Sequence, residues 1–249
     1  MTEAITVRDL TVAYAGIPAL IDVTWSAPSS GLVAIVGPNG AGKSSLLKAI
    51  LGLVPVSSGE ALIEGQPIER QYGSVAYVPQ RSSVDWDFPA TALDVVAMGM
   101  YRQIGWLRPV RKADRARALG FLKAVQLDDL AGRQIGALSG GQQQRVFIAR
   151  ALAQRTRIYL LDEPFAGVDA TTERIMTEVF RRLRAEGALV ICVHHDLASV
   201  PEIFDHVVLL NRRVVAAGPV SSVFTPELVA QTYGVPLAAP GKTAQDRPS

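Results

Sequence analysis

Gly37-Pro38-Asn39-Gly40-Ala41-Gly42-Lys43-Ser44 follows the apolar run LVAIV at 32–36 and leads into SLLKAILGL at 45–53. The eight residues fit the pattern G-x-x-x-x-G-K-[ST], set between a buried strand and a helix reading over 43–53. Glycines let successive backbone N–H groups turn inward around an anion, and the helix start adds a favourable dipole. Lys43 can reach β- and γ-phosphates, and the Ser44 hydroxyl can ligate Mg2+. A glycine-rich strand-to-helix turn would look similar, but a chance match with both flanks correct is rare. Gly37 to Ser45 is therefore expected to hold ATP with Mg2+.

Outward from this loop, VAYV (75–78), IYLL (158–161) and LVICV (189–193) are further continuous apolar runs. Such runs suit parallel strands covered on both faces. Helical periodicity lies between them, over 139–154 and 171–186. The alternation predicts an α/β fold with a mainly parallel sheet. AITVRDLTVAY (4–14) alternates like a half-exposed strand and, with EALIEG (60–65), predicts an antiparallel β subdomain. The segment 85–135 reads as an inserted helical subdomain broken at Pro89 and Pro109. VVLLNRRVVAAG (207–218) reads as a hairpin turning at Asn211 to Arg213. The tail 237–249 reads as disordered.

Of the 249 residues 49% are hydrophobic and 19% charged, with a net charge of +2, which suits a globular chain and argues against nucleic acid as a partner. Cys192 stands alone, so no internal disulfide forms, and its apolar surroundings read it as a small buried hydrophobe. The first residues do not read as a signal peptide, and no apolar run reaches the ~18 residues of a membrane span. The expected location is the cytoplasmic side, soluble or peripheral.

Two more features carry chemistry. The run 158–161 ends in Asp162-Glu163. A carboxylate at the end of a parallel strand projects into the crevice where α/β folds bind ligands. Asp162 suits the Mg2+ shell, and Glu163 can orient or deprotonate a water. Leu138-Ser139-Gly140-Gly141-Gln142 precedes the helix QQRVFIARALA. Ser139 is a plausible N-cap, and the glycines expose amides at a positive helix end, a second anion site.

LSGGQ upstream of Asp162 and downstream of the phosphate loop resembles the signature of ATP-binding cassette (ABC) ATPases, and the resemblance extends to about Gly234. It implies a P-loop NTPase (RecA-like) fold, an ABC ATPase domain over 1–236, a helical subdomain at about 85–150 and C-terminal helices at about 219–236. It also implies two cassettes packed head to tail, each ATP lying between one phosphate loop and the partner's Ser139, Gly140, Gly141 and Gln142. By the same resemblance Tyr14 stacks on adenine, although alone it reads equally as a strand residue. Gln80 touches Mg2+ and the lytic water, Asp169 meets the partner cassette, and His195 holds the γ-phosphate. His194 and His206 are read as structural.

VPQRSSVDWDFPATALDVV is similar to bacterial uptake cassettes for manganese, zinc or iron. That implies multi-span membrane permease subunits as partners and, indirectly, an extracytoplasmic metal-binding protein. Trp86 and Phe88 read equally as core residues or as the lining of a groove for a membrane partner. The alternatives kept open are an iron-chelate or cobalamin importer and a non-transport ABC-type ATPase.

Overall fold

The structure is a computed structural model that describes residues 3–105 and 108–234. The predicted tail 237–249, and the last two residues of the expected C-terminal helices, lie outside the described residues.

The chain begins with strands β1 (Ile5–Tyr14) and β2 (Ile17–Ala27), followed by β3 (Gly31–Val36), helix α1 (Lys43–Ile50), β4 (Ser58–Ile63) and β5 (Val75–Val78). Helices α2 (Ala92–Met98), α3 (Tyr101–Ile104), α4 (Lys112–Ala124) and α5 (Gly140–Ala153) come next. They are followed by β6 (Ile158–Leu161), α6 (Ala170–Ala185), β7 (Leu189–Val193) and α7 (Val200–Ile203). The described chain closes with β8 (His206–Asn211), β9 (Arg213–Pro219), α8 (Val220–Val223) and α9 (Pro226–Tyr233).

Among the described residues the strands form two sheets. One runs β2-β1-β4 and is antiparallel; the other runs β5-β6-β7-β3-β8-β9, parallel except for the β8–β9 hairpin. The expected antiparallel unit of 4–14 and 60–65 is present and gains β2 as a third strand. The expected hairpin turns at Arg212, whose φ is 57°.

β3 is buried at every position because both of its faces are covered. Leu32, Ala34 and Val36 join a core with α5 and α6, while Val33 and Ile35 join a second core with α1 and the antiparallel sheet. Each fully buried side chain of this size contributes about 1.5–3 kcal/mol. The first core continues through Val96, Met100, Leu122 and Phe147, which ties the helices between β5 and β6 to the main sheet.

Helix ends follow local chemistry. Thr91 and Asp94 close a capping box on α2, and Ser139 and Gln142 close one on α5. α1 stops at Ile50, short of the 43–53 expected. Gly52, at φ 64°, sits next to Ile68, where an added Cβ would stand 2.9 Å from its Cγ2. That left-handed glycine ends the helix. Cys192 is fully buried in β7, and burial pushes its thiol pKa up. Among the described residues no helix is long and apolar enough to cross a membrane.

Candidate active site

Strand register decides which residues meet. In the parallel ladders Val78 pairs with Leu161, Leu161 with Cys192, and Cys192 with Ala34, so β5, β6, β7 and β3 end level with one another. Gln80, Asp162 with Glu163, His194 with His195, and the loop beginning at Gly37 therefore leave the sheet at one edge.

The loop 37–42 wraps onto the start of α1. Gly40 and Gly42 have φ of 79° and 91°, a backbone that side chains resist. Gly42 has no room either: an added Cβ would stand 2.4 Å from the Ala19 carbonyl oxygen. Lys43 is only 6% exposed, and its Nζ donates to the carbonyls of Gly37 (2.8 Å) and Pro38 (2.9 Å). Burial pushes the Lys43 pKa down, opposed by the charges of Glu163 and Asp162. Asn39 and Gly40 are exposed at the loop's tip, and Ala41 is buried beneath it. Tyr14 is 44% exposed, and its hydroxyl donates to Ser45 Oγ at 3.3 Å, which sets the ring beside the loop.

Ser44 Oγ donates to Asp162 Oδ1 at 2.8 Å. Burial pushes the Asp162 carboxyl up and the Ser44 hydroxyl opposes it. A buried carboxylate and a hydroxyl held at this distance form a hard oxygen pair of the kind Mg2+ selects, so these residues fit that ion.

Glu163 leaves β6 with φ 53°, a left-handed backbone that costs energy for a residue other than glycine. That turn presents its carboxylate to two neighbours. Gln80 Nε2 donates to Oε2 at 2.9 Å, and His195 Nε2 stands 2.6 Å from Oε1. A cavity of about 190 Å3, lined in part by Glu163, His195 and Asp196, adjoins this cluster. His194 is buried instead, with Nε2 2.7 Å from Ser199 Oγ and its ring against Phe165 and Phe204. A larger cavity of about 400 Å3, near Arg155, Arg157 and Arg182, lies at the amino-terminal ends of β6 and β7, away from these groups.

Ser139, Gly140, Gly141 and Gln142 stand apart from the phosphate loop of their own chain. Ser139 N donates to Gln142 Oε1 at 2.9 Å, so both side chains serve the helix cap. Asp169 caps α6, accepting from Thr172 N at 2.9 Å and Thr172 Oγ1 at 3.0 Å. Gly141 packs on this cap: an added Cβ would stand 2.9 Å from Thr172 Oγ1. Gly141→Ala is expected to destabilise the chain by about 1–3 kcal/mol, read by thermal unfolding. An unchanged melting temperature would show that the two caps are not packed together.

Arg81, next to Gln80, packs on the start of α5. Its Nε donates to Gln143 Oε1 at 3.1 Å, and its guanidinium covers Gly140. Trp86 packs on Phe147, with ring centroids 5.0 Å apart, while Phe88 is 54% exposed. The two aromatics that the sequence left open thus part company, one inward and one outward.

A glycine-cradled anion site at the edge of a parallel sheet, facing a buried carboxylate and a clasped second one, defines a P-loop nucleoside triphosphatase. Residues 20–166 match the ABC transporter family profile, and the chain belongs to that family. It is 52% identical over 231 residues to the zinc transport system ATP-binding protein TroB of Treponema pallidum, covering 93% of this chain and 87% of that protein. It is 51% identical over 226 residues to the manganese transport system ATP-binding protein MntB of Bacillus subtilis, covering 91% and 90%. Among solved structures, it resembles the dimeric post-hydrolysis state of an ATP-binding cassette bound to ADP and Pi, with TM-score 0.77 and 28% identity, covering 86% of this chain and 98% of that one. It also resembles cbiO1 from Clostridium perfringens, part of the ABC transporter complex cbiONQ, with TM-score 0.75 and 26% identity over 93% and 94%. The chain is an ABC-type ATPase.

Proposed function

We propose that this chain powers a divalent-metal importer, hydrolysing ATP at the cytoplasmic face of a membrane whose spanning subunits are separate proteins. The cargo assignment rests on about half identity to zinc and manganese transport subunits across nine tenths of the chain. One observation carries the hydrolytic half: the strained Glu163 carboxylate clasped by Gln80 and His195 beside Lys43 and Asp162.

In this reading Gly37 to Ser45 cradle the phosphates of ATP, and Tyr14 lies against the adenine. Ser44 and Asp162, with Gln80, would hold Mg2+. When bound, Mg2+ supplies charge neutralisation at the β- and γ-phosphates. Lys43, His195 and the loop amides stabilise charge developing on the γ-phosphoryl group. Glu163 aims the attacking water and takes its proton. One Glu163 oxygen accepts from Gln80 and the other lies against His195, so one of these contacts must open or lengthen before the carboxylate can serve as the base.

A second copy, packed head to tail, completes each site with the amides of Ser139 to Gln142, whose side chains are already committed to the cap. Multi-span permease subunits are the membrane partners, and an extracytoplasmic metal-binding protein delivers the cargo to them.

The test joins the purified chain to the membrane proteins encoded beside it in proteoliposomes. Magnesium-dependent phosphate release together with uptake of labelled manganese or zinc is expected. No phosphate release would overturn the catalytic assignment. Phosphate release with uptake of an iron chelate and no free metal would overturn the cargo.

A further inference from the structure

The phosphate loop is braced from behind by a part of the chain that carries none of the motif residues. Val36 pairs with Leu209, so Gly37 comes level with Leu210 near the end of β8. There the two backbones touch: a Cβ on Gly37 would lie 1.9 Å from the Leu210 carbonyl oxygen. At the next turn Arg212 N donates to the Ala41 carbonyl at 2.9 Å. The β8–β9 turn therefore contacts the loop at both its first residue and its fifth.

That turn is itself held by α9. Asn211 Nδ2 donates to the Thr232 carbonyl at 2.9 Å. Thr232 is fully buried, with Oγ1 donating to Leu228 O at 2.7 Å, so the acceptor sits on a fixed piece of helix. The next residue, Tyr233, is half-buried. α9 is well defined at its ends, with Thr225 Oγ1 accepting from Leu228 N and Gly234 at φ 67°.

These contacts form a mechanical chain. The Gly37 carbonyl is one of the two acceptors that orient the Lys43 ammonium. Whatever holds Gly37 therefore holds the cation aimed at the phosphates. We propose that Asn211 is a positioning residue for the phosphate loop, through which α9 sets the affinity for ATP. The proposal rests on the reading of Gly37 to Ser45 as the nucleotide site.

Asn211→Leu removes the amide donor at similar volume without adding charge, and Asn211→Ala removes it with the rest of the side chain. Each variant is expected to bind the fluorescent analogue TNP-ATP about fivefold more weakly, the effect of one lost hydrogen bond. The KM for ATP should rise by a similar factor, with kcat held within about twofold, because Asn211 does not touch the reacting atoms. A purely structural role would lower the melting temperature and scale kcat with the folded fraction, leaving both constants unmoved; that result overturns the proposal. Wild-type binding with both variants unchanged overturns the brace alone. A wild-type chain that binds no TNP-ATP overturns the nucleotide site and the brace with it.

Discussion

Glu163→Gln yields a chain that binds ATP with near wild-type affinity and turns it over at least about a hundredfold more slowly, the contribution expected of a positioned general base. The substitution keeps the shape of the side chain and the left-handed backbone at φ 53°. It also keeps hydrogen-bonding capacity toward Gln80 and His195, because an amide oxygen still accepts and the imidazole can change tautomer. What it removes is the ability to take a proton. Measured phosphate release within a few-fold of wild type would remove Glu163 from the chemical step. A large loss of ATP binding would instead show that the carboxylate holds the loop in place.

Lys43→Met is expected to reduce kcat/KM by about a hundredfold to a thousandfold, since charge-assisted hydrogen bonds to the phosphates are lost. Stability should move the other way or not at all. Burial pushes the Lys43 pKa down, so the folded chain releases that proton more readily than the unfolded one. Where the ammonium is charged in both states it therefore detracts from folding, and the methionine variant should melt no lower than wild type. A variant that loses activity and unfolds together would refute this division of labour. The two substitutions also separate cleanly: one should bind and stall, the other should fail to bind.

Much of the architecture was legible because it is local. LVAIV followed by the glycine loop, and IYLL followed by Asp162-Glu163, announce strands ending in polar groups, and register then brings them together. β2 escaped notice because Pro18 and the left-handed Asp22 interrupt its alternation, leaving only its second half regular. The clasp of Glu163 by His195 depends on β6 lying next to β7, a strand order that periodicity does not encode. The histidines could be told apart only through the resemblance. The structure adds a physical reason, because His194 points into the aromatic cluster while His195 turns toward the carboxylate. Arg81 and Asn211 hold no position in the glycine or acidic motifs, and their contacts become visible only when remote segments are folded together.

The solitary thiol of Cys192 has a practical consequence. It is sealed in the middle of β7, and burial disfavours its reactive thiolate. A cysteine placed at an exposed position such as Ser82 would then be the sole target for a maleimide dye, with no need to remove the native one first. Pairs of such singly labelled chains would make the approach and parting of two copies visible by energy transfer in real time.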